Sequence, residues 1–551
     1  MLEQQSITTD ILVIGSGIAG MMAAIEARKS GAEVAIVTKA GLGKESATSR
    51  ALTFRISSGD RPVNIPGYDS KPGKYIEDQA LVRALAQEGG QQIQNLISLG
   101  VPMFRLKPDS EDDTTEKWQA RGSEQTHGGA IILDTLAPVA IKMGVKAVER
   151  CSMLNLLREG DRVVGASGLL VDGSWLSISA RAMILAAGGA TAISQVTTAP
   201  TDCVGNGQAM ALQAGLQLKN MEFNGYYAVG LPTPAGRYIH CAPLTLQMKN
   251  ALLRNDQGED IIKKHFGISL QEAVPPTDVR FDWLPRAVAL ETQHGKVWLD
   301  LTKVPAEEWD KLPERNWRQL RQTQADVKTT PLAIQPLNHH FYGGLITDTA
   351  MRTSLPGLYG AGEAVAGWRA ETGMGNLPCC LVMGAIAART AAADIQAIKP
   401  STKKVPDEVL AQAQAMLAGN GQTKGDTLCR EIRRLMFRHN NPVKTKASLD
   451  EGLQGLEILA KRLGEIRCQT PSELKEGLQI RAMLLTSEAM LKSARLRTES
   501  RGAFYRSDFP ERDDKNWLRP VLSHYDAKSR EVKVERGAEM AYDTNLIKKT
   551  P

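Results

Sequence analysis

Three glycines near the N-terminus have the spacing of a phosphate-binding turn. Gly15, Gly17 and Gly20 lie between the apolar segment 11–14 and the alanine-rich segment 21–27. Glycines at this spacing let backbone N–H groups approach a pyrophosphate at the start of a helix. The pattern also occurs by chance, but its position between a predicted buried strand and a predicted helix favours a dinucleotide site.

The second predicted strand, residues 33–39, carries a hydroxyl where dinucleotide-binding folds usually carry an acid. The acidic residue normally holds the adenosine ribose, and here Thr38 occupies that place and is followed by Lys39. This difference weakens a nicotinamide interpretation and favours a flavin. The polar loop 40–50 comes next, and the alternative interpretation of this loop is a solvated surface segment.

A second glycine turn, Gly188 and Gly189, directly follows the apolar segment 182–187. A strand that ends in bare backbone can approach a flat or anionic ligand closely. Residues 205–207, with the sequence Gly-Asn-Gly, then open a predicted helix.

The third glycine turn, at residues 357–362, is followed by Glu363. A carboxylate in this place can accept hydrogen bonds from sugar hydroxyls. Three separated glycine turns at the ends of buried strands indicate one extended ligand, because a single strand–helix unit covers only part of a dinucleotide. FAD has the required length.

The segments between these turns predict further elements. Residues 75–100 have a helical pattern that ends at Gly100, and an apolar helix is predicted over 131–148. Residues 150–180 alternate as strands around a hairpin turn at Asp172 and Gly173, which is typical of a small inserted sheet.

Composition excludes several classes of protein. The 551 residues, 42% of them hydrophobic, can bury a large core in more than one domain. The 67 basic and 61 acidic residues are spread along the chain, which argues against a nucleic-acid partner. Seven cysteines without a CxxC pair argue against disulfides and protein-borne metal centres and predict a reducing, cytoplasmic location. The one long apolar run, 11–25, contains the glycine turn, so we expect no direct membrane insertion.

The chain resembles the succinate dehydrogenase/fumarate reductase flavoprotein superfamily, which also contains L-aspartate oxidase and the flavoprotein subunit of adenylylsulfate reductase. The resemblance rests on ordered segments that span nearly the whole chain: ILVIGSGIAG, ILAAGGA, VGNGQAMALQAG, LKNMEF, HHFYGG, GLYGAGE and TESRGAFYRSDFPERDDKNW. The last segment is more specific than any dinucleotide motif.

The resemblance implies an α/β fold in which a Rossmann-like FAD-binding domain is interrupted by an α+β capping domain and followed by a C-terminal helical domain. The implied bounds are 1–225 and 337–400 for the two parts of the FAD-binding domain, 226–336 for the cap, 401–505 for the helical domain and 506–551 for a C-terminal tail. The implied FAD-binding residues are Gly15, Gly17, Gly20, Thr38, Lys39, Lys44, Glu45, Ser46, Ala187, Gly188, Gly189, Asn206, Gly362, Glu363, Asn376 and Leu377. Members with covalent flavin carry a histidine where this chain has Ser46, so we expect noncovalent FAD.

Three residues carry the chemistry that the resemblance implies. Arg286 matches an arginine on the cap that binds an anionic substrate and donates or accepts a proton, and otherwise it is an exposed arginine at a helix start. His339 matches a substrate-binding histidine, and otherwise it is a packed histidine bonded to backbone. Tyr227 replaces a second substrate histidine. The neighbours His339 and His340 should point apart on a strand, so we predict no metal site.

Departures from the family predict a different substrate. Residues 241–250 lack the carboxylate that passes protons to the catalytic arginine. The family has a second substrate-binding arginine, and its position falls near Thr372 in this chain. Arg369, three residues earlier, is the candidate to replace it. We therefore expect a polar or anionic organic substrate that is larger or less acidic than succinate or fumarate.

The chain has no cluster ligands of its own, so electrons must leave through a partner, a diffusible acceptor or oxygen. A basic set on the predicted helical domain favours a ferredoxin-like iron–sulfur subunit, although such a set is most simply a solvated face: Arg430, Arg433, Arg434, Arg438, Lys444 and Lys446. That subunit would also provide any membrane association, and a homo-oligomer is possible. Two alternatives stay open: adenylylsulfate-reductase-like sulfur metabolism, and an electron-transfer subunit whose pocket has lost catalysis.

Overall fold

A computed structural model of the chain describes residues 3–51, 76–105, 118–120, 128–274, 283–368, 376–399, 401, 406–419 and 421–540. The predictions for Arg369 and Thr372 lie outside these residues. The first part of the chain contains β1 Gln4–Ile14, α1 Ile18–Lys29, β2 Val34–Val37, α2 Gln79–Ser98, β3 Met103–Arg105, β4 Trp118–Ala120, α3 Gly128–Lys142, β5 Lys146–Val148, β6 Cys151–Glu159, β7 Arg162–Leu170, β8 Trp175–Leu185, α4 Asn206–Gln213 and β9 Leu218–Lys219.

The middle of the chain contains β10 Asn224–Pro232, β11 Tyr238–His240, α5 Pro243–Leu246, β12 Leu252–Asn255, α6 Ile261–Phe266, α7 Leu270–Ala273, α8 Trp283–Thr292, β13 Val297–Asp300, α9 Ala306–Asp310, α10 Glu314–Arg321 and β14 Leu332–Phe341. The last part contains β15 Gly344–Leu345, β16 Leu358–Gly360, α11 Asn376–Asp394, α12 Asp407–Ala418, α13 Gly425–His439, β17 Val443–Lys444, α14 Lys446–Leu463, α15 Pro471–Leu496, β18 Tyr505–Arg506, α16 Asp514–Trp517, β19 Val521–Asp526 and β20 Glu531–Arg536.

Five parallel strands form the centre of the main sheet, in the spatial order β5, β2, β1, β8 and β16. Ile14 at the end of β1 lies opposite Leu185 at the end of β8, and Leu185 lies opposite Gly360 at the end of β16. The three glycine turns therefore follow adjacent strands at one edge of the sheet, which is where open α/β sheets bind their ligands.

The hairpin strands β6 and β7 extend the main sheet and do not form the separate small sheet predicted for 150–180. The predicted turn is present: Gly173 has φ +89° and Asp172 Oδ1 accepts a hydrogen bond from Ser174 N at 2.9 Å. The strand β8 is 11 residues long, so its first half pairs with β7 while its second half pairs with β16. The length of β8 is what joins the hairpin to the central sheet.

The helix predicted over 131–148 ends early, at Lys142. Gly144 has φ +89°, a left-handed conformation that stops the helix, and Lys146–Val148 then pairs with β2 as an edge strand. The prediction of a helix ending at Gly100 is confirmed within two residues, because α2 ends at Ser98 and Gly100 has φ +89°.

Helices α1 and α11 pack closely against each other. A Cβ at Gly384 on α11 would lie 2.1 Å from the Ala19 carbonyl oxygen on α1, so only glycine permits this contact. Among the described helices, Asn376–Ala397 is long and apolar enough to cross a membrane by composition, yet 78% of that window is buried within the molecule. Its apolar character is that of a core helix.

A second hydrophobic core, with described members from Ala228 to Ile334, surrounds the five-stranded antiparallel sheet β11-β10-β14-β13-β12 and helix α8. The two strands β10 and β14 run from this core into the main one. The boundaries predicted at 225/226 and 336/337 fall inside these strands, so two continuous strands join the cap to the FAD-binding domain.

Helices α13, α14 and α15 pack together after α11, and α15 lies against α4 and β20. The final hairpin, β19 and β20, pairs with β9. Strand β18 pairs in parallel with β17 and thereby brings the last family segment beside helix α8 of the cap.

Candidate active site

The first glycine turn brings the ends of β1 and β8 into contact with the start of α1. Gly15 has φ +107°, and a Cβ there would lie 2.3 Å from the Ala186 carbonyl oxygen. A Cβ at Gly20 would lie 1.8 Å from the Gly15 carbonyl oxygen. Neither position admits a side chain, and the N-cap residue of α1, Gly17, has no side chain of its own to cap the helix.

The second and third glycine turns meet each other. A Cβ at Gly189 would lie 2.7 Å from the Glu363 carboxyl carbon, and Glu363 Oε1 accepts a hydrogen bond from Phe341 N at 3.0 Å. Gly188, with φ +78°, faces open space, since a Cβ there would meet nothing within 4 Å. Gly362 has φ +72° and begins the turn that carries Glu363.

Lys39 and Asn206, two predicted FAD-binding residues, contact each other. Lys39 Nζ donates to Asn206 Oδ1 at 2.9 Å and to the Asp202 carbonyl at 3.0 Å. Burial lowers the pKa of Lys39, and the nearby Asp202 opposes that shift. Asn206 Nδ2 is buried and has no hydrogen-bond partner among the described residues.

Thr38 is tied to the first glycine turn. The Ser16 hydroxyl donates to Thr38 Oγ1 at 3.0 Å and accepts from Gly43 N at 3.1 Å. The Ser16 hydroxyl therefore joins both Thr38 and the loop that follows β2 to the first glycine turn.

The loop after β2 holds the other predicted residues. Lys44 forms an exposed ion pair with Asp134 on α3, and the adjacent Glu45 has φ +48°. Ser46 Oγ accepts from Ser49 N at 3.2 Å, which stabilises the turn. The loop lies against the N-terminus of α1, where Ile18 N donates to Thr48 Oγ1 at 3.1 Å.

These residues fit FAD. The glycine turns leave a cradle without side chains next to the open space at Gly188. Buried polar atoms line it: Gln208 Nε2 donates to the Gly188 carbonyl at 3.1 Å, while Gln208 Oε1 and Asn206 Nδ2 have no partner in the described part of the chain. Buried polar groups of this kind normally have partners, so they indicate a ligand.

Four rings form what we call the aromatic wall: Tyr227, His240, His339 and His340. The Tyr227 ring centroid lies 4.3 Å from that of His339 and 5.0 Å from that of His240, with the latter pair stacked at 21°. Tyr227 is on β10, His240 is on β11 and both other histidines are on β14. The structure thus brings two of the three predicted catalytic residues together.

The prediction that His339 and His340 point apart is wrong, because their ring centroids lie 3.9 Å from each other. The cause is a β-bulge. Gly225 lies opposite His340 and Tyr226 lies opposite Asn338, so His339 is an extra residue on β14. A bulge interrupts the strict alternation of sides along a strand.

Each histidine on β14 has a side-chain partner. His339 Nδ1 lies 2.6 Å from Thr198 Oγ1, so this bond is to a hydroxyl and not to backbone. His340 Nε2 lies 3.2 Å from Asn376 Nδ2 at the start of α11, next to the half-buried Leu377. The wall therefore connects directly to one predicted FAD-binding residue.

Arg50 approaches the wall from the loop after β2. One guanidinium nitrogen of Arg50 donates to the Thr198 carbonyl at 3.4 Å, beside the hydroxyl that contacts His339. Burial and, after it, the charge of Arg237 lower the pKa of Arg50. Arg50 from the FAD-binding domain and Arg237 from the cap are therefore close enough for their charges to repel each other.

Arg286 is half-buried on α8, and it is not the exposed arginine of the alternative interpretation. Its guanidinium carbon lies 3.8 Å from the centroid of the Tyr505 ring. Helix α8 packs against β10 and β14, the strands that carry Tyr227 and His339. The structure therefore places Arg286 on a helix that packs against both strands of the wall.

The segment with the most specific resemblance builds a buried ion network. Arg497 donates to Glu222 at 2.7 Å and to Glu499 at 2.8 Å, and Arg501 donates to Glu499 at 2.8 Å. All four side chains are fully buried. Burial raises the pKa of Glu222 and the Arg497 charge opposes that shift. This network joins two family segments 275 residues apart and has a structural function.

Sequence reasoning missed His240, Arg50 and Tyr505. Tyr505 lies inside the last family segment, and the specific resemblance of that segment is the signal that points to it. Arg50 lies in loop 40–50, which also holds the implied FAD-binding residues Lys44 and Ser46. His240 is 13 residues from Tyr227 and reaches it only because β10 and β11 form a hairpin.

Comparisons with known proteins show which families the chain matches. The FAD binding domain family matches residues 10–376, and the fumarate reductase flavoprotein C-terminal family matches residues 429–549. The chain is 27% identical to a fumarate reductase (CoM/CoB) subunit of Methanothermobacter marburgensis over 95% of this chain and 98% of that protein. It is 28% identical to L-aspartate oxidase of Caulobacter vibrioides, over 91% and 94% of the two chains.

The solved structure of Mycobacterium smegmatis Sdh1 in complex with UQ1 has a TM-score of 0.84 and 25% identity, and covers 98% of this chain and 95% of that one. The matched families account for both the FAD-binding core and the C-terminal region. The FAD cofactor indicated by the glycine turns and the fold implied by the resemblance are thereby confirmed. The chain belongs to the succinate dehydrogenase/fumarate reductase flavoprotein superfamily and is an FAD-dependent oxidoreductase of that type.

Proposed function

We propose that this enzyme transfers hydride between FAD and a polar or anionic organic substrate bound at the aromatic wall. The observation that carries the proposal is the contact between Tyr227 and His339, at 4.3 Å, on two strands against which the helix that carries Arg286 packs. Those three residues are the ones that the sequence nominated for catalysis. Their neighbours His340 and Asn376 connect the wall to the FAD-binding domain.

Each residue of the proposed site has a separate task. Bound FAD supplies hydride transfer at its ring system. Arg286 binds the anionic group of the substrate, stabilises charge that develops beside the reacting carbon, and gives or takes the proton there. His339, oriented by Thr198, hydrogen-bonds a substrate oxygen, and Tyr227 packs against the substrate and donates through its hydroxyl. The FAD would be held by the glycine turns with Lys39, Asn206 and Glu363.

The same residues favour a substrate less acidic than a dicarboxylate. Residues 241–250 contain no Asp or Glu. Thr245 in this segment is buried and accepts a hydrogen bond from Asn316 Nδ2 at 3.0 Å, so the segment has a packing function within the cap. Each charge-assisted hydrogen bond that is lost here removes about 1.5–3 kcal/mol of binding. A larger or less charged substrate does not require those bonds.

We further propose that an iron–sulfur protein is the electron partner, in the cytoplasm or on a membrane surface through that partner. Arg430, Arg434 and Arg438 are exposed and lie four residues apart on α13, so they form one stripe. Arg433 instead donates to the Ala192 and Thr201 carbonyls and has a structural task. An acidic ferredoxin-like protein complements such a stripe.

An anaerobic survey of flavin oxidation tests the proposal. Holoenzyme reduced with dithionite is mixed with fumarate and with larger, less acidic unsaturated acids, while flavin absorbance is followed. We expect fast reoxidation by a member of the second group and slow reoxidation by fumarate. Oxidised enzyme is mixed in parallel with AMP and sulfite. Reduction by that pair supports sulfur metabolism, and a flavin that responds to none of these compounds supports a non-catalytic role in electron transfer.

A further inference from the structure

His240, which the sequence did not nominate, has a ring nitrogen in contact with a side-chain amide. Gln319 Nε2 lies 3.2 Å from His240 Nε2. Gln319 is buried on α10, and His240 is half-buried on β11. The chemistry of this contact depends on which atom of the Gln319 amide faces the ring, since an amide presents a donor at one end and an acceptor at the other.

The orientation of the Gln319 amide is fixed by a second hydrogen bond. The backbone N–H of Ala242 donates to Gln319 Oε1 at 3.2 Å, in a fully buried contact. A backbone N–H only donates, so the oxygen of the amide must face Ala242 and the NH₂ group must face His240. Asn316, one turn earlier on α10, donates to Thr245 at 3.0 Å and holds the helix on the same segment.

The amide donor determines the protonation state of the ring. Because Gln319 Nε2 donates, His240 Nε2 must accept with its lone pair. A neutral imidazole has one acceptor nitrogen and one N–H, so the hydrogen of the ring is on Nδ1. Protonation at Nε2 would set an N–H against an NH₂ group in a partly buried contact, which costs a hydrogen bond and leaves two opposed donors.

We propose that Gln319 is a positioning residue that keeps His240 neutral, with its hydrogen on Nδ1, and that His240 is a further residue of the substrate-binding wall. This inference rests on the proposed function, since Tyr227 and His339 line the substrate only on that proposal. His240 stacks on Tyr227 at 5.0 Å and lies 6.3 Å from His339.

A neutral ring at this place matches the proposed substrate. The titratable groups that face His240 include the Tyr227 phenol on β10 and the His339 imidazole on β14. A protonated His240 would add a cation to this part of the wall and favour a second carboxylate on the substrate. A neutral one presents an uncharged surface, which suits a substrate with an uncharged polar group at that end.

Nitrogen NMR of the histidine rings tests the inference directly. Holoenzyme containing FAD and ¹⁵N-histidine is titrated, and the His240 signals are identified by their loss in His240→Asn. We expect the wild-type ring to be the neutral tautomer with hydrogen on Nδ1. We also expect it to become protonated only at a pH below the usual titration midpoint of a histidine. In Gln319→Glu, an isosteric carboxylate accepts from Nε2, so we expect the other tautomer and a midpoint higher by about one pH unit or more.

The matched control is Gln322→Glu, which places the same charge on the exposed end of the same helix and should leave the His240 signals unchanged. FAD content and Tm of each variant show that it is folded. A wild-type ring with its hydrogen on Nε2, or equal titration of His240 in wild type and Gln319→Glu, would overturn the inference. This readout needs no turnover, so it fails or succeeds independently of the flavin oxidation survey.

Discussion

The guanidinium carbon of Arg286 lies 3.8 Å from the centroid of the Tyr505 ring, so the proposed catalytic arginine rests on an aromatic residue from another part of the fold. Arg286 belongs to α8 of the cap, whereas Tyr505 is on β18, which pairs with β17. The cation–π contact thus ties the position of the guanidinium to the C-terminal region.

Replacing Tyr505 should weaken catalysis through Arg286. We expect Tyr505→Leu to lose about 1–2 kcal/mol of positioning energy and to lower kcat/KM about 5- to 30-fold, since the cation loses its aromatic surface. Tyr505→Phe keeps the ring and should retain most activity. Steady-state kinetics of both variants with equal FAD content make the comparison. Equal losses in the Phe and Leu variants would show that the ring does not position Arg286.

Gly15→Ala should abolish FAD binding. An added Cβ would lie 2.3 Å from the Ala186 carbonyl oxygen, so the turn that receives the pyrophosphate must move. Gly31→Ala is the matched control, since Gly31 has φ +85° but nothing within 4 Å of an added Cβ. The control should cost only the strain of the left-handed backbone, about 1 kcal/mol, and keep FAD.

The flavin content of both variants is measured after acid precipitation. In the wild type and in Gly31→Ala, all FAD should appear in the supernatant, because Ser46 offers no ring nitrogen for a covalent bond. Flavin that stays with the precipitate would contradict noncovalent binding. Full FAD content in Gly15→Ala would contradict the cradle itself.

Breaking the buried ion network should destabilise the whole molecule. Arg497→Leu leaves Glu222 and Glu499 buried without their shared cation, which typically costs about 3–5 kcal/mol. Arg495→Leu, two residues earlier, removes an exposed ion pair with Asp450 and should cost about 0–1 kcal/mol. Denaturant unfolding of both variants measures the difference. A small loss in Arg497→Leu would contradict the structural function of the network.

Lys444 should make stability depend on pH. Burial first, and then the charge of Arg506, lower the pKa of Lys444 from 10.5 to about 7 in the folded protein. Between those two values the unfolded chain carries the proton and the folded one does not, so stability rises with pH across this window. Below the folded pKa the full cost of burying the charge is present.

Lys444→Met removes that cost. We therefore expect a higher Tm than wild type near about pH 6, and a difference that shrinks steadily as pH approaches the ordinary lysine pKa. Lys446→Met, on the exposed start of α14, should show no such trend. Thermal scans of wild type and both variants across the pH range measure these differences. A difference in Tm between Lys444→Met and wild type that does not vary with pH would exclude Lys444 as the source of the pH-dependent stability.

Local patterns predicted the three glycine turns, because each turn is built from neighbours in sequence. Gly15, Gly188 and Gly362 all adopt positive φ at strand ends, as the pattern required. The C-terminal end of α3 is not predicted correctly, because the apolar residues of β5 continue the helical pattern past Gly144. Only the left-handed backbone at that glycine separates the helix from the strand.

The substrate wall depends on contacts that the sequence does not display. The bulge that turns His339 beside His340 arises from pairing with β10, more than one hundred residues earlier in the chain. Tyr227 and His240 meet through a hairpin, and Arg286 meets Tyr505 across two domains. The resemblance nominated Arg286, Tyr227 and His339 but did not indicate how each ring or guanidinium is held.

The most direct test of the account is the single-turnover rate of flavin reoxidation in Arg286→Ala, measured anaerobically with the acceptor that the wild-type enzyme reduces. We expect the rate to fall by about 100-fold or more, with FAD content unchanged, because the substrate loses both its anion partner and its proton donor. Arg321→Ala, an exposed arginine on α10 of the same domain, should react like the wild type. A wild-type rate in Arg286→Ala would contradict the assignment of the active site.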